Sequence, residues 1–356
     1  MKVTGALILI ITLAFTVTAG SLFATERMVL GELFTNTGCG PCRNANLTLD
    51  NVVENHIDDL AVIRYHPWWP DANDPFYRAN MTENRARTNY YGADYVPHFW
   101  IDGIVDGGSS HSSWDYKVTV RSGMDTPLEI HLDGYYDDAT REGEICAIFI
   151  GTAPITQTNL YTHFVLTESN IYYVAPNGLL WHHQTMRDMI PDAIGAPITI
   201  NEGDTVEVCT PFTVNANWDE MECQLVVWVQ SNNNKEVLQA AKWDIPSVSV
   251  LAEPEATVIP RGGKLKYLAT VANNSDEAQD FDAWGEVYLR SGMPYPGNPV
   301  VGPKAMHLTP GESVSKNVQH PVPGKAPLGT YTYKLIVGVY PDEVIDESVF
   351  EFTIVE

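Results

Sequence analysis

Met28-Val29-Leu30-Gly31-Glu32-Leu33-Phe34-Thr35-Asn36-Thr37-Gly38-Cys39-Gly40-Pro41-Cys42 is the stretch that decides how this chain is read. An apolar run of strand length is followed by short loop residues and then by two cysteines separated by two residues. At the first turn of a helix, cysteines with that spacing close a small disulfide without unfolding anything. The unpaired N–H groups and the positive end of the helix dipole favour a thiolate at the outer sulfur, so Cys39 is the expected attacker and Cys42 the more buried resolving thiol. Pro41 suits the first helical turn, where its missing N–H is not needed. Ala45, Leu49, Val52, Val53 and His56 then recur at helical spacing and predict a helix of about four turns. Leu60-Ala61-Val62-Ile63-Arg64-Tyr65 reads as a second strand. The segment reads as a redox dithiol on a strand, helix, strand unit.

This order resembles the thioredoxin superfamily, in which Gly-Pro between the cysteines is the form found in thioredoxins themselves. A second segment, Tyr91-Gly92-Ala93-Asp94-Tyr95-Val96-Pro97-His98-Phe99-Trp100-Ile101-Asp102-Gly103, resembles the family's cis-proline segment. The resemblance implies that Pro97, with Val96 before it, lies beside the dithiol and helps hold an extended substrate backbone. Asp102-Gly103 is on its own a strong hairpin signal. The likeness spans roughly residues 28–122, with departures. The interval from Cys42 to Pro97 is longer than in minimal thioredoxins. It holds Trp68-Trp69-Pro70-Asp71 and one predicted helix over residues 74–91, capped by Asp74, opened by Pro75 and ended by Gly92. Glu32 is the nearest counterpart of the family's buried acid and the candidate proton acceptor for Cys42, although it sits one residue further from the first cysteine than the family pattern. His98 replaces the usual threonine after the cis-proline. It reads either as an imidazole that stabilises the thiolate or as a solvent-facing strand residue. Trp68 and Trp69 read either as an apolar platform for peptide substrates or as loop packing.

Export is the expected fate of the chain. Met1-Lys2 precedes an almost uncharged run to Ala24, which reads as a secretory signal over residues 1–24, with an uncleaved anchor as the alternative. No other stretch is apolar and long enough to span a bilayer, so no stable span is expected after cleavage. The formal charge is −24, from 45 acidic and 21 basic residues. Such a surface repels nucleic acid and anionic head groups, which argues against both as partners. Of the five cysteines, Cys146, Cys209 and Cys223 remain outside the motif. Cys209 with Cys223 is the expected pair, each lying near a candidate strand. No second close pair has metal-ligand spacing, so no metal or other cofactor is expected. His163, His182 and His183 do not form a ligand pattern, since neighbours on a strand face opposite ways.

The expected fold class is a multidomain α+β chain: an α/β thioredoxin-like domain over residues 25–125, followed by two mainly antiparallel β-sandwich domains. A helix over 113–123 closes the first domain. Short β-branched and aromatic runs divided by turn residues then predict a sandwich over 126–246. About seven strands in the remaining segment predict an immunoglobulin- or fibronectin-like module over 247–356, with Ile245-Pro246-Ser247 as the boundary. The order of export signal, CxxC unit and β-sandwich resembles the Omp28-related family of bacterial envelope proteins. Val165-Leu166-Thr167-Glu168, Trp181-His182-His183-Gln184-Thr185-Met186-Arg187 and Gly195 carry that likeness.

Two functional classes follow. The first is an extracytoplasmic thiol-disulfide oxidoreductase acting on protein or peptide substrates through Cys39, Cys42 and Pro97, and served by a separate redox partner. The second is a secreted or surface adhesion or binding protein in which Cys39–Cys42 is a permanent staple. A peroxidase fits less well, because it calls for a lone peroxidatic cysteine with neighbouring Thr and Arg.

Overall fold

The computed structural model describes residues 25–138, 140–275 and 277–356. The export signal read in residues 1–24 lies outside the described residues. The described residues fall into two compact units, one within 25–132, 146–210 and 222–243, the other within 133–145, 211–221 and 244–356.

In the first unit, strand β1 (Val29–Phe34) leads into helix α1 (Gly40–Asn55), strand β2 (Leu60–Tyr65), helices α2 (Pro75–Ala79) and α3 (Met81–Tyr91), the hairpin β3 (His98–Ile101) and β4 (Val105–Gly108), and helix α4 (Trp114–Ser122). β1 pairs parallel with β2 and antiparallel with β3, giving the order β2-β1-β3-β4. Period-two alternation sorts the side chains. Val29 and Leu33 of β1, Leu60 and Val62 of β2, and Phe99 and Ile101 of β3 pack with Ala45, Leu49 and Val52 of α1 and Trp114 and Val118 of α4. Leu30, Phe34, Ala61, Ile63 and Tyr65 face the other way, towards Tyr91 of α3.

The hairpin turn predicted at Asp102-Gly103 forms with positive φ at both residues, 45° and 71°. A side chain at Gly103 would strike the Lys235 carbonyl, 1.9 Å from where its Cβ would stand. Asp102 is also fully buried, accepting from Leu30 N at 2.8 Å and pairing with Arg27 and Arg121.

The single helix expected over 74–91 is two. Asp74 caps the first as anticipated, its Oδ1 accepting from Phe76 N and Tyr77 N, and Gly92 ends the second with φ 64°. The break falls at Asn80, whose non-helical backbone lets its Oδ1 cap α3 through Glu83 N while Nδ2 donates to the Arg187 carbonyl. An asparagine that satisfies an orphan N–H competes with helix continuation.

The segment after α4 adds β5 (Leu128–Asp137), β6 (Glu142–Gly151), β7 (Leu160–Glu168), the short pair β8 (Ile171–Tyr172) and β9 (Trp181–His182), β10 (Thr185–Ile190), β11 (Ala196–Pro197), β12 (Thr205–Thr213), β13 (Cys223–Ser231) and β14 (Val237–Asp244). The separate sandwich expected over 126–246 is not what forms. β10 pairs with β2, and β7, β13 and β14 continue outward, so one sheet runs β14-β13-β7-β10-β2-β1-β3-β4, with β11 also on β7. Val165, Met186, Met189, Val226, Trp228, Val237 and Ala240 share one core with Leu30, Phe34 and Ile63. Pairing covers the β2 edge that a shorter unit would leave open.

β5, β6 and β12 form a three-stranded sheet in the order β12-β6-β5. The expected Cys209–Cys223 pairing is also corrected: Cys209 bonds to Cys146 on the neighbouring strand, with Cα atoms 4.0 Å apart, and Cys223 is a buried thiol in β13. Strand adjacency, not closeness in sequence, brings the sulfurs together. The bridge links residues 63 apart in sequence. Cys146→Ala/Cys209→Ala should therefore lower stability by about 2–4 kcal/mol, read as a lower urea midpoint. An unchanged midpoint would mean that the crosslink does not stabilise the sheet.

The second unit contains β15 (Val248–Pro254), β16 (Val258–Pro260), β17 (Lys264–Asn273), β18 (Gln279–Leu289), β19 (Val301–Leu308), β20 (Ser313–Pro321), β21 (Gly329–Val339) and β22 (Glu343–Val355). They make two sheets, β15-β17-β20 and β16-β22-β21-β18-β19. Alternate residues of both, among them Val250, Leu265, Tyr267, Phe281, Tyr333, Leu335 and Phe352, enclose one apolar core. Tyr267 and Tyr333 share a hydroxyl hydrogen bond of 2.7 Å inside it, which satisfies both buried phenols.

Candidate functional site

Cys39 and Cys42 are joined in a disulfide at the N-terminus of α1, with Cα atoms 5.3 Å apart. Cys39 is the N-cap residue, its Sγ accepting from Cys42 N at 3.1 Å, and Pro41 sits in the first turn. A sulfur held where the helix leaves its N–H groups unpaired is where a thiolate would be stabilised after reduction. Cys42 is fully buried and Cys39 only 5% exposed. The Val96–Pro97 peptide is cis, Pro97 is buried, and the Val96 carbonyl oxygen lies 3.6 Å from Cys39 Sγ.

Asn36 shapes the approach to the motif. Its Oδ1 accepts from Gly38 N, its carbonyl accepts from Cys39 N, and its Nδ2 donates to the carbonyls of Pro67 and Asp71. That binds the 67–71 loop, with Trp68 and Trp69, to the loop of the disulfide. The two tryptophans are half-buried and stacked 5.3 Å apart. Arg85 lies over the Trp68 ring, and Trp69 packs on the α3-side core. Asp74 fastens the same loop by accepting from Thr37 N and pairing with His66 Nδ1, both at 2.8 Å. Burial opposes its charge, yet His66 and these N–H donors hold Asp74 below the usual carboxylate range.

A buried cation lies under α1. Arg64 of β2 points to the α1 face, where Nη1 donates to Asn46 Oδ1 at 2.7 Å and Nη2 pairs with Asp50 and with Gln184 Oε1. Asn46 Nδ2 in turn donates to the Cys42 carbonyl and to Thr35 Oγ1, both at 2.8 Å. Burial lowers the Arg64 pKa and Asp50 opposes the shift. A lone arginine in an otherwise apolar strand, facing Asn46 and Asp50 at i,i+4 spacing, is the sequence signal that could have found this network.

Two expected modulators lie elsewhere. Glu32 is on the face of β1 opposite α1, where its carboxylate accepts from Arg87 Nε at 3.0 Å and pairs with Arg87 Nη2 and the Tyr91 hydroxyl. The one-residue offset seen in the sequence decides this, since a shift of one position along a strand reverses the side a residue faces. Glu32 is therefore part of the α3-side core and not an acceptor for Cys42. His98 shares that side with Trp100. It is buried instead of solvent-facing, stacked on Tyr95 at 4.3 Å, with Nε2 3.0 Å from Asp106 Oδ1. The histidines considered as ligands are apart: His163 stacks on Trp228, while His182 Nε2 is bonded to the Tyr173 carbonyl.

What sequence reasoning missed is the β8–β9 hairpin. Asn177 at its tip donates N–H to the Thr37 carbonyl and Nδ2 to the carbonyls of Cys39 and Asn36, at 3.0, 3.0 and 3.4 Å. The Gly178 carbonyl accepts from Arg43 Nε of α1. The hairpin is thus seated on the backbone of the CxxC loop.

No family model matches the chain, and no curated protein does. Among solved structures it is similar to HBP35 of Porphyromonas gingivalis, at 12% identity and a TM-score of 0.53, over 93% of this chain and 98% of that one. A protein of Agrobacterium tumefaciens is 14% identical over 61% of this chain and 94% of its own, with a TM-score of 0.42. The likeness to HBP35 is one of fold, a β-rich arrangement of several sheets followed along nearly the whole of both chains. Among the described residues no helix is long and apolar enough to cross a membrane. The two disulfides are of a kind usual in exported proteins.

Proposed function

We propose that this chain is an extracytoplasmic thiol-disulfide oxidoreductase whose N-terminal part is a thioredoxin-like unit carrying the Cys39–Cys42 couple. The observation that carries this reading is the Cys-Gly-Pro-Cys disulfide at the helix N-terminus with the Val96 carbonyl 3.6 Å from Cys39 Sγ. The order β2-β1-β3-β4, with helices on both faces, supports the thioredoxin-like reading.

In the reducing direction the Cys39 thiolate attacks one sulfur of a client disulfide. The client S–S bond breaks, one client thiolate leaves, and a mixed disulfide joins Cys39 to the other client sulfur. The Cys42 thiolate then attacks Cys39 Sγ, re-forming the ring and releasing the second client thiolate, so two electrons pass from protein to client. The reverse sequence oxidises a client dithiol. A dithiol or disulfide partner protein restores the couple. Trp68, Trp69 and Val96 stand on the client side, and Pro97 aligns the client backbone.

A second reading has an observation in its favour. Cys39 is only 5% exposed, which suits a permanently closed staple in a surface-binding protein.

The reduction potential of the full chain in glutathione buffers separates the two. An oxidoreductase is expected to show a reversible couple between about −120 and −270 mV. A bond that stays closed below about −300 mV, with no disulfide turnover, would overturn this assignment in favour of the staple.

A further inference from the structure

Cys39 is the sulfur that a client has to reach, yet it is only 5% exposed, and the Val96 carbonyl already lies 3.6 Å from its Sγ. A reacting sulfur needs to come within about 3–3.5 Å, in line with the bond that breaks. Some neighbour of Cys39 therefore has to move before exchange. Val96 belongs to a segment that runs straight into β3, which is paired on both sides, with β1 and with β4. The other neighbour is the tip of the β8–β9 hairpin, where Asn177 Nδ2 donates to the Cys39 carbonyl at 3.0 Å.

The hairpin is built to move as a body. Among the described residues β8 and β9 pair with each other, at Ile171 with His182 and Tyr172 with Trp181, and not with the large sheet. Tyr173 N to the Leu180 carbonyl and Ala175 N to the Leu179 carbonyl, at 3.0 and 2.9 Å, extend that internal pairing towards the tip. Both feet are fixed to the sheet, by Ser169 N on the Glu222 carbonyl and Arg64 N on the Gln184 carbonyl, each at 2.8 Å. Next to those anchors Asn170 and Gln184 have left-handed backbone, with φ 50° and 43°. Residues with side chains seldom adopt that region, and a few element-terminal positions of this kind are where a hinge absorbs its rotation. The seat itself is small: the Asn177 bonds to Thr37, Cys39 and Asn36, the Arg43 bond to Gly178, and ring contacts of Tyr173 and His182 with Phe76. A self-paired hairpin held this way detaches at lower cost than a strand inside the large sheet.

We infer that the β8–β9 hairpin is a latch on Cys39, which lifts from the CxxC loop to admit a client sulfur and reseats after exchange. The inference rests on the oxidoreductase reading and adds to it how access to the couple is regulated. The observed exchange rate is then the rate at an open site multiplied by the fraction of time the latch is raised. Its bonds at the tip go to backbone carbonyls, which the oxidised and reduced forms both present, so the latch governs the rates of reduction and oxidation and not the balance between them.

Two measurements on the full chain test this. Hydrogen exchange of the wild type needs no substitution: the amides of Tyr173, Ala175 and Asn177 are expected to exchange about a hundredfold faster than those of β7 and β13. The second follows Cys39–Cys42 by alkylation and mass spectrometry of the peptide that carries it, during reduction by dithiothreitol and reoxidation by glutathione disulfide. Asn177→Ala removes the donors at the tip and should speed both reactions about tenfold, with the reduction potential unchanged. Rates equal to wild type, or hairpin amides as protected as those of β7, would overturn the latch. Faster reduction with no faster oxidation, and a potential shifted to match, would assign these bonds to holding the disulfide closed and would overturn it as well. Turnover of a cystine peptide is read separately in the same proteins. Its absence from both would overturn the oxidoreductase reading, while the two rates still decide the latch.

Discussion

Cys39→Ser is expected to lower disulfide turnover by about a thousandfold or more, because the attacking sulfur acts with its partner as one unit and nothing else at the helix N-terminus replaces it. Cys42→Ser has a different expected outcome. The first attack survives, the resolving step does not, and a mixed disulfide between Cys39 and the client accumulates. Mass spectrometry after incubation with a cystine peptide should show that adduct in Cys42→Ser and not in Cys39→Ser. Adduct formation at position 42 in the Cys39→Ser protein would reverse the order of the two sulfurs. Cys42 is fully buried and Cys39 caps the helix with its sulfur on the Cys42 N–H, which is the physical basis for the assignment. The thiol of Cys39 in the reduced protein should titrate below the ordinary cysteine value of about 8.5, as its absorbance near 240 nm would report.

Arg87→Met is expected to be the most destabilising single change in the first unit. Arg87 and Glu32 are each about 1% exposed at the side chain, and the guanidinium is also bonded to Gln230 Oε1. Burial works against the Arg87 charge, but the Glu32 carboxylate with the Tyr65 and Tyr91 phenols together outweigh it and raise the pKa. Burial and then the same carboxylate push the Tyr91 and Tyr65 phenols well above their usual value. Removing the cation strands a carboxylate in the core, at a cost of about 3–5 kcal/mol. In a unit of this size that lowers the melting temperature by roughly 10 °C. Glu32→Leu/Arg87→Met should recover most of the loss, since two well-packed apolar residues are tolerated where one unpaired charge is not. The Cys39–Cys42 potential should not move in either variant, because the pair faces away from α1. A melting temperature within about 2 °C of wild type for Arg87→Met would show that this network does not hold the sheet.

Local chemistry was legible in the sequence wherever neighbours along the chain sufficed. Cys39 to Cys42, the Ala45-Leu49-Val52 stripe, the Asp74 cap, the Gly92 stop and the Asp102-Gly103 turn each depend on backbone groups within a few residues, and each stands where its residues pointed. The Asn80 break was also encoded locally, but it depends on an N-cap hydrogen bond competing with a helix that the surrounding residues favour. Glu32 marks the limit: the thioredoxin resemblance pointed to an acid near the motif, and strand parity alone sent it to the opposite face.

Pairing across long intervals was decided only by the tertiary structure. Runs such as Tyr161-Thr162-His163-Phe164-Val165-Leu166 and Leu225-Val226-Val227-Trp228-Val229 announce strands, but an apolar strand pairs equally well in a separate sandwich or at the edge of an existing sheet. The open edge of β2 and the shared core with Ile63 and Trp228 select the second. The same adjacency brings Cys146 to Cys209 and seats Asn177 on Cys39. The chain's own residues thus determined the Cys39–Cys42 pair, its helix and its turns. The partners of those elements came from burial and edge pairing, because hydrogen-bonded edges and apolar faces carry no address until the sheet brings them together.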